Sequence, residues 1–260
     1  MQISIDELLK GKGTVIKNNE YLSTEQYIEP FLNTMSKYTN NFVAQALTPK
    51  QMSLNMGSVK TKDKIYNRVW VQAILPGEYC FDQHSQVVGL VYGIDIRRPV
   101  VKIYVGAVNN ACLNLCIFEP EFLNVQSLEP NQYIDFGCIE RLMNQRTNMK
   151  EWLRNMHDTM IPYNYNIIEQ TLGRWVRNAI EECVYSNYGK IKLAAGSVVD
   201  AFKMMYYDKD STYYVPEGQD NNMFNVYNAF TQLITDDQRD ILNKAEKTLL
   251  LQRIIGVGKY

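Results

Sequence analysis

Short apolar segments alternate with turn residues between residues 68 and 118, and this pattern is the clearest structural signal in the chain. The four segments are rich in Val, Ile, Leu, Tyr and Cys and cover residues 69–75, 86–92, 100–107 and 111–118. Residues that favour turns separate them, at Pro76-Gly77, at residues 95–99 and at Asn109-Asn110. The pattern predicts an antiparallel β-meander.

Side chains alternate with a period of two in the third segment. Lys102 and Tyr104 point to one face, and the branched aliphatic residues beside them point to the other. We expect the aliphatic face to lie in the core and the face with Lys102 and Tyr104 to be partly exposed. The fourth segment is apolar except for Asn114, which indicates a central strand in which a buried Asn114 needs hydrogen-bond partners.

Helical patterns occupy most of the chain outside the meander. Capping-box sequences at Ser23-Thr24-Glu25-Gln26 and Thr235-Asp236-Asp237-Gln238 predict two helix starts. The first helix should cover residues 24–38, followed over residues 39–63 by a loop that can include a short strand. Apolar residues spaced three and four apart predict further helices over residues 139–160, 168–184 and 194–205, and Gly256 should end the last one.

These elements predict an α+β fold. Residues 1–62 form a helix and a loop that lead into the sheet, and residues 63–118 form the antiparallel meander. Residues 119–260 begin as an acidic connection broken by Pro120 and Pro130 and continue as a helical half that packs on one face of the sheet. At 260 residues the chain can bury a sizeable core as one domain.

Charge and cysteine content narrow the class of protein. The 27 Lys and Arg residues nearly balance the 28 Asp and Glu residues, so no global field attracts nucleic acid or an anionic membrane. Residues 1–9 do not resemble a signal peptide, and no apolar run is long enough for a membrane span. The chain has five cysteines, an odd number, and no secretion signal, which favours reduced thiols over a framework of disulfide bonds. We expect a cytoplasmic protein that does not bind membranes.

Catalytic and metal-binding motifs are missing from the sequence, and we expect no enzymatic activity, metal ion or cofactor. Of the two histidines, His84 is expected in a turn, and His157 late in a helix is expected to be a partly exposed or structural residue. Cys112 and Cys116 share one strand face and could begin a zinc site, but no second ligand pair is near, which favours small core residues. A catalytic site assembled from distant residues, such as His84, Asp95 and Glu140, stays open without a pattern to favour it.

Basic residues interleaved with aromatic ones offer a candidate nucleic-acid surface. Arg97-Arg98 lies at a predicted hairpin tip, and cationic side chains beside stacking rings suit a single strand. An ordinary solvated surface is the alternative. The candidate nucleic-acid-binding residues are Arg68, Arg97, Arg98, Lys102, Tyr104, Arg174 and Arg177.

A second candidate surface is rich in tyrosine. Residues 206–222 are polar, contain Pro216 and Gly218, and are expected to form a mobile loop. The 18 tyrosines of the chain could reflect an A+T-rich genome or exposed contact surfaces. The alternative function is therefore a phage-encoded protein-interaction factor that binds a host or defence protein through Tyr206, Tyr207, Tyr213 and Tyr214.

Two segments resemble a phage and plasmid-borne family catalogued as domain of unknown function nine-three-two. One runs from Val87-Val88-Gly89-Leu90-Val91 to Gly106, Cys112 and Cys116, and includes Cys112-Leu113-Asn114-Leu115. The other is Phe224-Asn225-Val226-Tyr227-Asn228-Ala229-Phe230-Thr231, which is similar to an aromatic-Tyr-Asn-Ala-x-Thr signature ahead of a last helix. The chain departs from the family pattern in two places. Asn114-Leu115 replaces the family's usual Asn-Gly after the cysteine, and the Ser-His-Asp sequence that precedes the family's second strand is not evident at residues 93–96.

The resemblance implies a phage setting and a meander followed by helices. This layout is similar in outline to phage single-strand annealing proteins of the RecT, Redβ and Erf kind, which bind single strands in a basic groove of an oligomeric ring. We therefore expect a non-enzymatic protein that binds single-stranded nucleic acid in recombination or replication. It would act in the cytoplasm of an infected or plasmid-bearing bacterium and could form a homo-oligomer.

Overall fold

The computed structural model describes residues 2–10, 14–16, 19–47, 68–77, 80–81, 83–94, 99–110, 114–117, 122–144, 146–162, 165–185, 195–236 and 241–256. Its strands are β1 (Gln2–Ile3), β2 (Thr14–Ile16), β3 (Asn19–Tyr21), β4 (Phe42–Leu47), β5 (Arg68–Ile74), β6 (Cys80–Phe81), β7 (His84–Gly93), β8 (Val100–Asn109), β9 (Leu115–Cys116), β10 (Leu123–Ser127), β11 (Met160–Ile161) and β12 (Asn221–Asn222). Its helices are α1 (Ile5–Leu9), α2 (Thr24–Met35), α3 (Cys138–Met143), α4 (Arg146–Asp158), α5 (Tyr165–Tyr185), α6 (Ala195–Tyr206), α7 (Met223–Asp236) and α8 (Lys244–Ile255), with a 3-10 helix at Ile241–Asn243. An antiparallel sheet in the N-terminal half and helices in the C-terminal half confirm the predicted α+β class.

The chain divides into two compact units. Unit 1 comprises Met1–Asn110, Glu121–Gln145 and Gln238–Leu242, and unit 2 comprises Ala111–Pro120, Arg146–Asp237 and Asn243–Tyr260. Along its length, the chain therefore leaves unit 1 three times and returns to it twice. These units do not coincide with the predicted divisions after residues 62 and 118.

Unit 1 is built on an antiparallel sheet with the strand order β1-β4-β5-β7-β8-β10. Strands β5, β7 and β8 confirm three of the predicted meander strands. The strand that follows β8 in this order is β10, which lies inside the stretch that we predicted to be an acidic connection. That prediction is wrong for β10, because its sequence Leu-Asn-Val-Gln-Ser alternates apolar and polar residues and carries no charge.

The central strands of this sheet are buried on both faces. Every residue of β7 is buried, and so is every residue of β8 after Val100. Lys102 is only 5% exposed and Tyr104 is fully buried. The predicted solvent-exposed face of the third segment is therefore wrong, and its polar side chains are satisfied inside the protein.

A glycine makes room for one of these side chains. Gln72, Gly89 and Tyr104 lie directly opposite one another on β5, β7 and β8. The Tyr104 ring crosses over Gly89, so that a Cβ at Gly89 would overlap Tyr104 Cζ. Tyr104 Oη then donates a hydrogen bond to Gln72 Oε1 at 3.2 Å. The absence of a side chain at Gly89 thus allows a hydrogen bond that reaches across three strands.

Helix α2 packs on the opposite face of the sheet. Its N-terminus has the predicted capping box, in which Ser23 Oγ accepts from the Gln26 main-chain N–H and Gln26 Oε1 accepts from the Ser23 N–H. Tyr27 of α2 meets Tyr92 of β7 edge to face, with ring centroids 5.0 Å apart. Burial raises the pKa of Tyr92 well above its ordinary value.

Unit 2 is organised around α7. The residues of α7 are mostly buried, and the helix packs against α4, α6 and α8. Two edge-to-face aromatic pairs anchor its neighbours: Trp152 of α4 lies 5.1 Å from Tyr227, and Trp175 of α5 lies 5.6 Å from Phe230. The apolar stripe of the segment at 223–236 therefore forms the core of this unit.

Two helix boundaries differ from the prediction. The helix expected over residues 139–160 consists of α3 and α4, which belong to different units. Thr235 and Asp236 do not start a helix but lie in the last turn of α7, because buried Phe230 and Ile234 continue the apolar stripe of that helix. Gly256 ends α8 as predicted, with a positive φ of 83°.

None of the helices in the described part of the chain is both long and apolar enough to cross a membrane.

We predict that Gly89→Ala destabilises unit 1 by about 1–3 kcal/mol, because the added methyl group forces the buried Tyr104 ring to move. The matched control is Gly173→Ala in α5, where no atom lies within 4 Å of the new Cβ and the free energy of unfolding should rise by about 0.5–1 kcal/mol. Urea unfolding curves measure both. Equal midpoints for wild type and Gly89→Ala would contradict the packing argument.

The buried tyrosines Tyr92 and Tyr104 predict a loss of stability at alkaline pH. Burial raises the pKa of both phenols in the folded state, so that below about pH 10 folded and unfolded chains alike keep the proton. Above that pH the unfolded chain loses protons that the folded chain keeps, and the free energy of unfolding falls by up to about 1.4 kcal/mol per pH unit for each tyrosine.

Urea titrations at a series of alkaline pH values measure this slope. The double variant Tyr92→Phe with Tyr104→Phe should show a shallower slope than wild type. Identical slopes would show that these phenols ionise equally in both states.

Candidate functional site

The predicted phosphate-binding residues of unit 1 are largely unsuited to that role. Arg68 is half-buried at the start of β5, opposite Leu47 and Gly93. Arg97 and Arg98 lie outside the described residues, so the expected hairpin tip stays a prediction. The basic half of the meander therefore offers no described and fully exposed cation among the predicted residues.

Lys102 holds a distant part of the chain in unit 1. Its Nζ donates a hydrogen bond to the Leu242 main-chain oxygen at 2.6 Å, and both residues are buried. The Leu242 side chain packs on Gly93 so closely that a Cβ at Gly93 would lie 2.7 Å from Leu242 Cδ1. Lys102 is thus a structural residue, because its ammonium group is buried and bonded to the main chain, which argues against the predicted phosphate contact.

Tyr104 is likewise not available as a stacking platform. Its ring is covered, and its hydroxyl donates to Gln72 Oε1. Burial raises the pKa of Tyr104 well above its ordinary value. A neutral, buried phenol supports the sheet and does not contact a base.

Helix α5 does expose the two arginines that were predicted on it. Trp175, between them in sequence, is buried against Phe230, and this contact turns Arg174 and Arg177 outward. The two residues are three apart, which places their Cβ atoms about 5–6 Å from each other on the helix surface. The exposed described positions of this helix are Glu169, Gln170, Gly173, Arg174 and Arg177.

The four tyrosines of the predicted interaction loop have different environments. Tyr207 is 65% exposed, Tyr206 and Tyr214 are half-buried, and Tyr213 is buried. The Val215 N–H donates to the Met205 oxygen at 2.8 Å, and Asn225 Nδ2 donates to the Tyr213 oxygen at 2.9 Å. The segment is therefore tied to α6 and α7, and a contact surface made of all four rings is wrong because Tyr213 faces the interior.

Tyr213 belongs to a buried polar network in unit 2. Asn114 Nδ2 donates to Tyr213 Oη at 3.0 Å and to the Asn228 main-chain oxygen at 3.2 Å. Tyr213 Oη donates in turn to Gln232 Oε1 at 3.0 Å. This confirms that Asn114 is buried and hydrogen-bonded. It also brings Asn114, from the first segment of the family resemblance, to Asn228 in the second segment.

A second part of the network lies at the N-terminus of α7. Asn225 Nδ2 donates to Asn221 Oδ1 at 2.9 Å, and Asn221 Nδ2 donates to Tyr206 Oη at 3.3 Å. Sequence reasoning missed these partners. The available signal was the density of asparagine in the segment 221–228, since asparagine inside an apolar helix needs a partner.

The remaining candidate chemistry is dispersed. His84 is buried in β7, Glu140 is exposed on α3, and Asp95 lies outside the described residues. His157 stacks on Phe224, with centroids 3.9 Å apart. Within the described residues no group of three or more His, Cys, Asp or Glu side chains is placed to hold a metal ion. Cys112 lies outside that part of the chain.

We predict that Tyr213→Phe lowers the free energy of unfolding by about 1–3 kcal/mol, because it removes the hydroxyl that Asn114 and Gln232 use in the core. The matched control, Tyr207→Phe, removes an exposed hydroxyl and should change stability by less than about 0.5 kcal/mol. Urea unfolding measures both variants. Equal losses in the two would contradict a structural role for the Tyr213 hydroxyl.

No protein-family model matches this chain, and neither a curated protein nor a solved structure matches it. The resemblance to the phage and plasmid-borne family stays a prediction that rests on the residues quoted for it. The features left to indicate function are the exposed side chains of the described residues and the open strand edge of the sheet in unit 1.

Proposed function

We propose that this protein binds single-stranded nucleic acid without catalysis, in recombination or replication of a phage or plasmid, in the cytoplasm of the bacterial host. The pair Arg174 and Arg177 on the exposed face of α5 is the observation that carries this proposal. Of the residues predicted for this role, these two are described and exposed. The buried Lys102 and Tyr104 take no part.

The spacing of the arginines suits a phosphate backbone. Side chains three apart on a helix are neighbours, and each guanidinium offers several N–H donors to phosphate oxygens. Gly173 precedes Arg174, and no atom lies within 4 Å of where its Cβ would be. The helix surface beside Arg174 therefore has room for at least a methyl group at this position.

The chemistry of this face also predicts the kind of binding. None of the exposed described residues of α5 is aromatic, so the contact lacks a ring on which bases could stack. Affinity would come from phosphate contacts, and binding should depend weakly on base sequence and strongly on salt. The near-zero net charge of the chain means that a local patch must supply the attraction.

The test is fluorescence anisotropy with a labelled oligothymidylate over a series of salt concentrations. We expect Arg174→Ala with Arg177→Ala to weaken binding at low salt. It should also lower the slope of log affinity against log salt by about 1.4, since each lost phosphate contact on a single strand removes about 0.7.

The matched control removes the same charge from another exposed part of unit 2. Lys203→Ala with Lys209→Ala changes two exposed lysines on α6 and in the following loop. This variant should keep most of the affinity and the slope. Equal losses in both double variants, or no binding by wild type at low salt, would refute the proposal.

A further inference from the structure

The two edges of the sheet in unit 1 differ in their protection. One edge ends in β1, which has only two residues, and very short edge strands offer little to a pairing partner. The other edge is β10, which has five residues and contains neither proline nor a charged side chain. Among the described residues, no strand pairs with the outer side of β10. Within the described residues, this edge therefore carries neither the proline nor the charged side chain that often prevents strand addition.

The register shows which backbone groups point outward. The Leu128 N–H donates to the Pro99 oxygen at 2.9 Å, and the ladder pairs Ser127 with Val100 and Val125 with Lys102. Hydrogen-bonded and non-hydrogen-bonded pairs alternate in an antiparallel ladder, so Val125 occupies a non-hydrogen-bonded position. Its N–H and C=O groups, like those of Leu123 and Ser127, are therefore directed away from β8.

Side chains near this edge favour contact with another molecule. Val125 is 54% exposed, and Tyr133 in the segment after β10 is 62% exposed. Gln126 Nε2 donates to Asn124 Oδ1 at 2.8 Å and to the Asp135 oxygen at 3.0 Å, which holds this segment beside the strand. The edge thus combines a fixed backbone with two exposed apolar anchors.

Charge around the edge indicates the sign of its partner. Between residues 122 and 144 the described charged residues are Glu129, Asp135, Glu140 and Arg141, and all four are exposed. Three carboxylates against one guanidinium make the described segment that carries β10 acidic. A second copy of this chain would bring two acidic edges together, whereas a basic segment would be attracted.

We propose that β10 binds an extended, basic peptide segment of a partner protein as an added antiparallel strand. The peptide backbone pairs with the outward N–H and C=O groups of Leu123, Val125 and Ser127, and its apolar side chains cover Val125. Its basic side chains face Glu129, Asp135 and Glu140. This interaction surface is separate from the arginines of α5 and does not depend on the binding of nucleic acid.

The test uses a fluorescein-labelled synthetic peptide of alternating lysine and valine as the probe, with the full chain. We expect saturable binding, and weaker binding of a peptide in which proline replaces valine, because it has the same charge but cannot pair as a strand. A peptide of alternating glutamate and valine should not bind. Equal binding of the lysine-valine and lysine-proline peptides would overturn the proposal in favour of charge attraction alone.

Variants of Val125 test the backbone contact itself. Val125→Pro removes an outward N–H that β8 does not use, and should weaken peptide binding by at least about tenfold, the equivalent of one lost hydrogen bond to a charged or well-ordered partner. Val125→Thr keeps the N–H and the branched side chain, and should bind like wild type. Unchanged binding by a folded Val125→Pro protein would overturn the proposal.

A further variant covers the case in which Val125→Pro does not fold. Glu129→Gln with Asp135→Asn and Glu140→Gln changes only exposed side chains and should weaken binding of the lysine-valine peptide. Unchanged binding would overturn the assigned charge of the partner. Sedimentation of the full chain tests whether a second copy of the chain occupies β10 instead. If the chain forms a dimer that Val125→Pro abolishes, and the peptide probe does not bind, a second copy pairs with β10 and the proposal is overturned.

Discussion

Burial of hydrogen-bonding side chains is the constraint on which both units depend. In unit 1 the central strands are covered on both faces, so the polar groups of Lys102 and Tyr104 on β8 need partners inside the protein. Lys102 satisfies its ammonium group on the Leu242 oxygen, and Tyr104 reaches Gln72 over Gly89. The first of these bonds links positions 140 residues apart and accounts for the return of the segment at 238–242 to unit 1.

In unit 2 the buried polar groups are side-chain amides and a tyrosine hydroxyl, which form hydrogen bonds with one another inside the protein. Asn114, Tyr213 and Gln232 form one chain of hydrogen bonds, and Asn114 also binds the main chain of α7. At the end of α7, the buried Lys244 donates to the Thr235 oxygen at 2.7 Å, which satisfies a carbonyl group in the last turn of that helix. Side chains that looked like surface residues are thus committed to internal bonds, because a buried donor without a partner costs more than a lost surface contact.

This commitment limits where function can lie. The candidate surfaces are those whose polar groups the fold does not consume: the arginines on the outer face of α5, and the outward backbone of β10. The two surfaces attract a partner by different interactions. The arginines provide positive charge without a fixed binding geometry, which suits a flexible phosphate backbone. The β10 edge provides directional hydrogen bonds in a fixed register, which suit an extended peptide. Each unit can therefore be studied through its own surface.

Local patterns in the sequence determined the α+β class, the strands β5, β7 and β8, the capping box of α2, the stop at Gly256 and the burial of Asn114, because each depends on residues close together in the chain. The sequence did not determine which polar residues are surface residues. Because they alternate with apolar residues, Lys102 and Tyr104 were predicted to lie on a partly exposed face. The same alternation occurs when the polar face of a strand contacts protein instead of water. Only the tertiary structure decided this, because the partners Leu242 and Gln72 are distant in sequence, and for the same reason only it brought Asn114 to Tyr213 and made β10 an open edge.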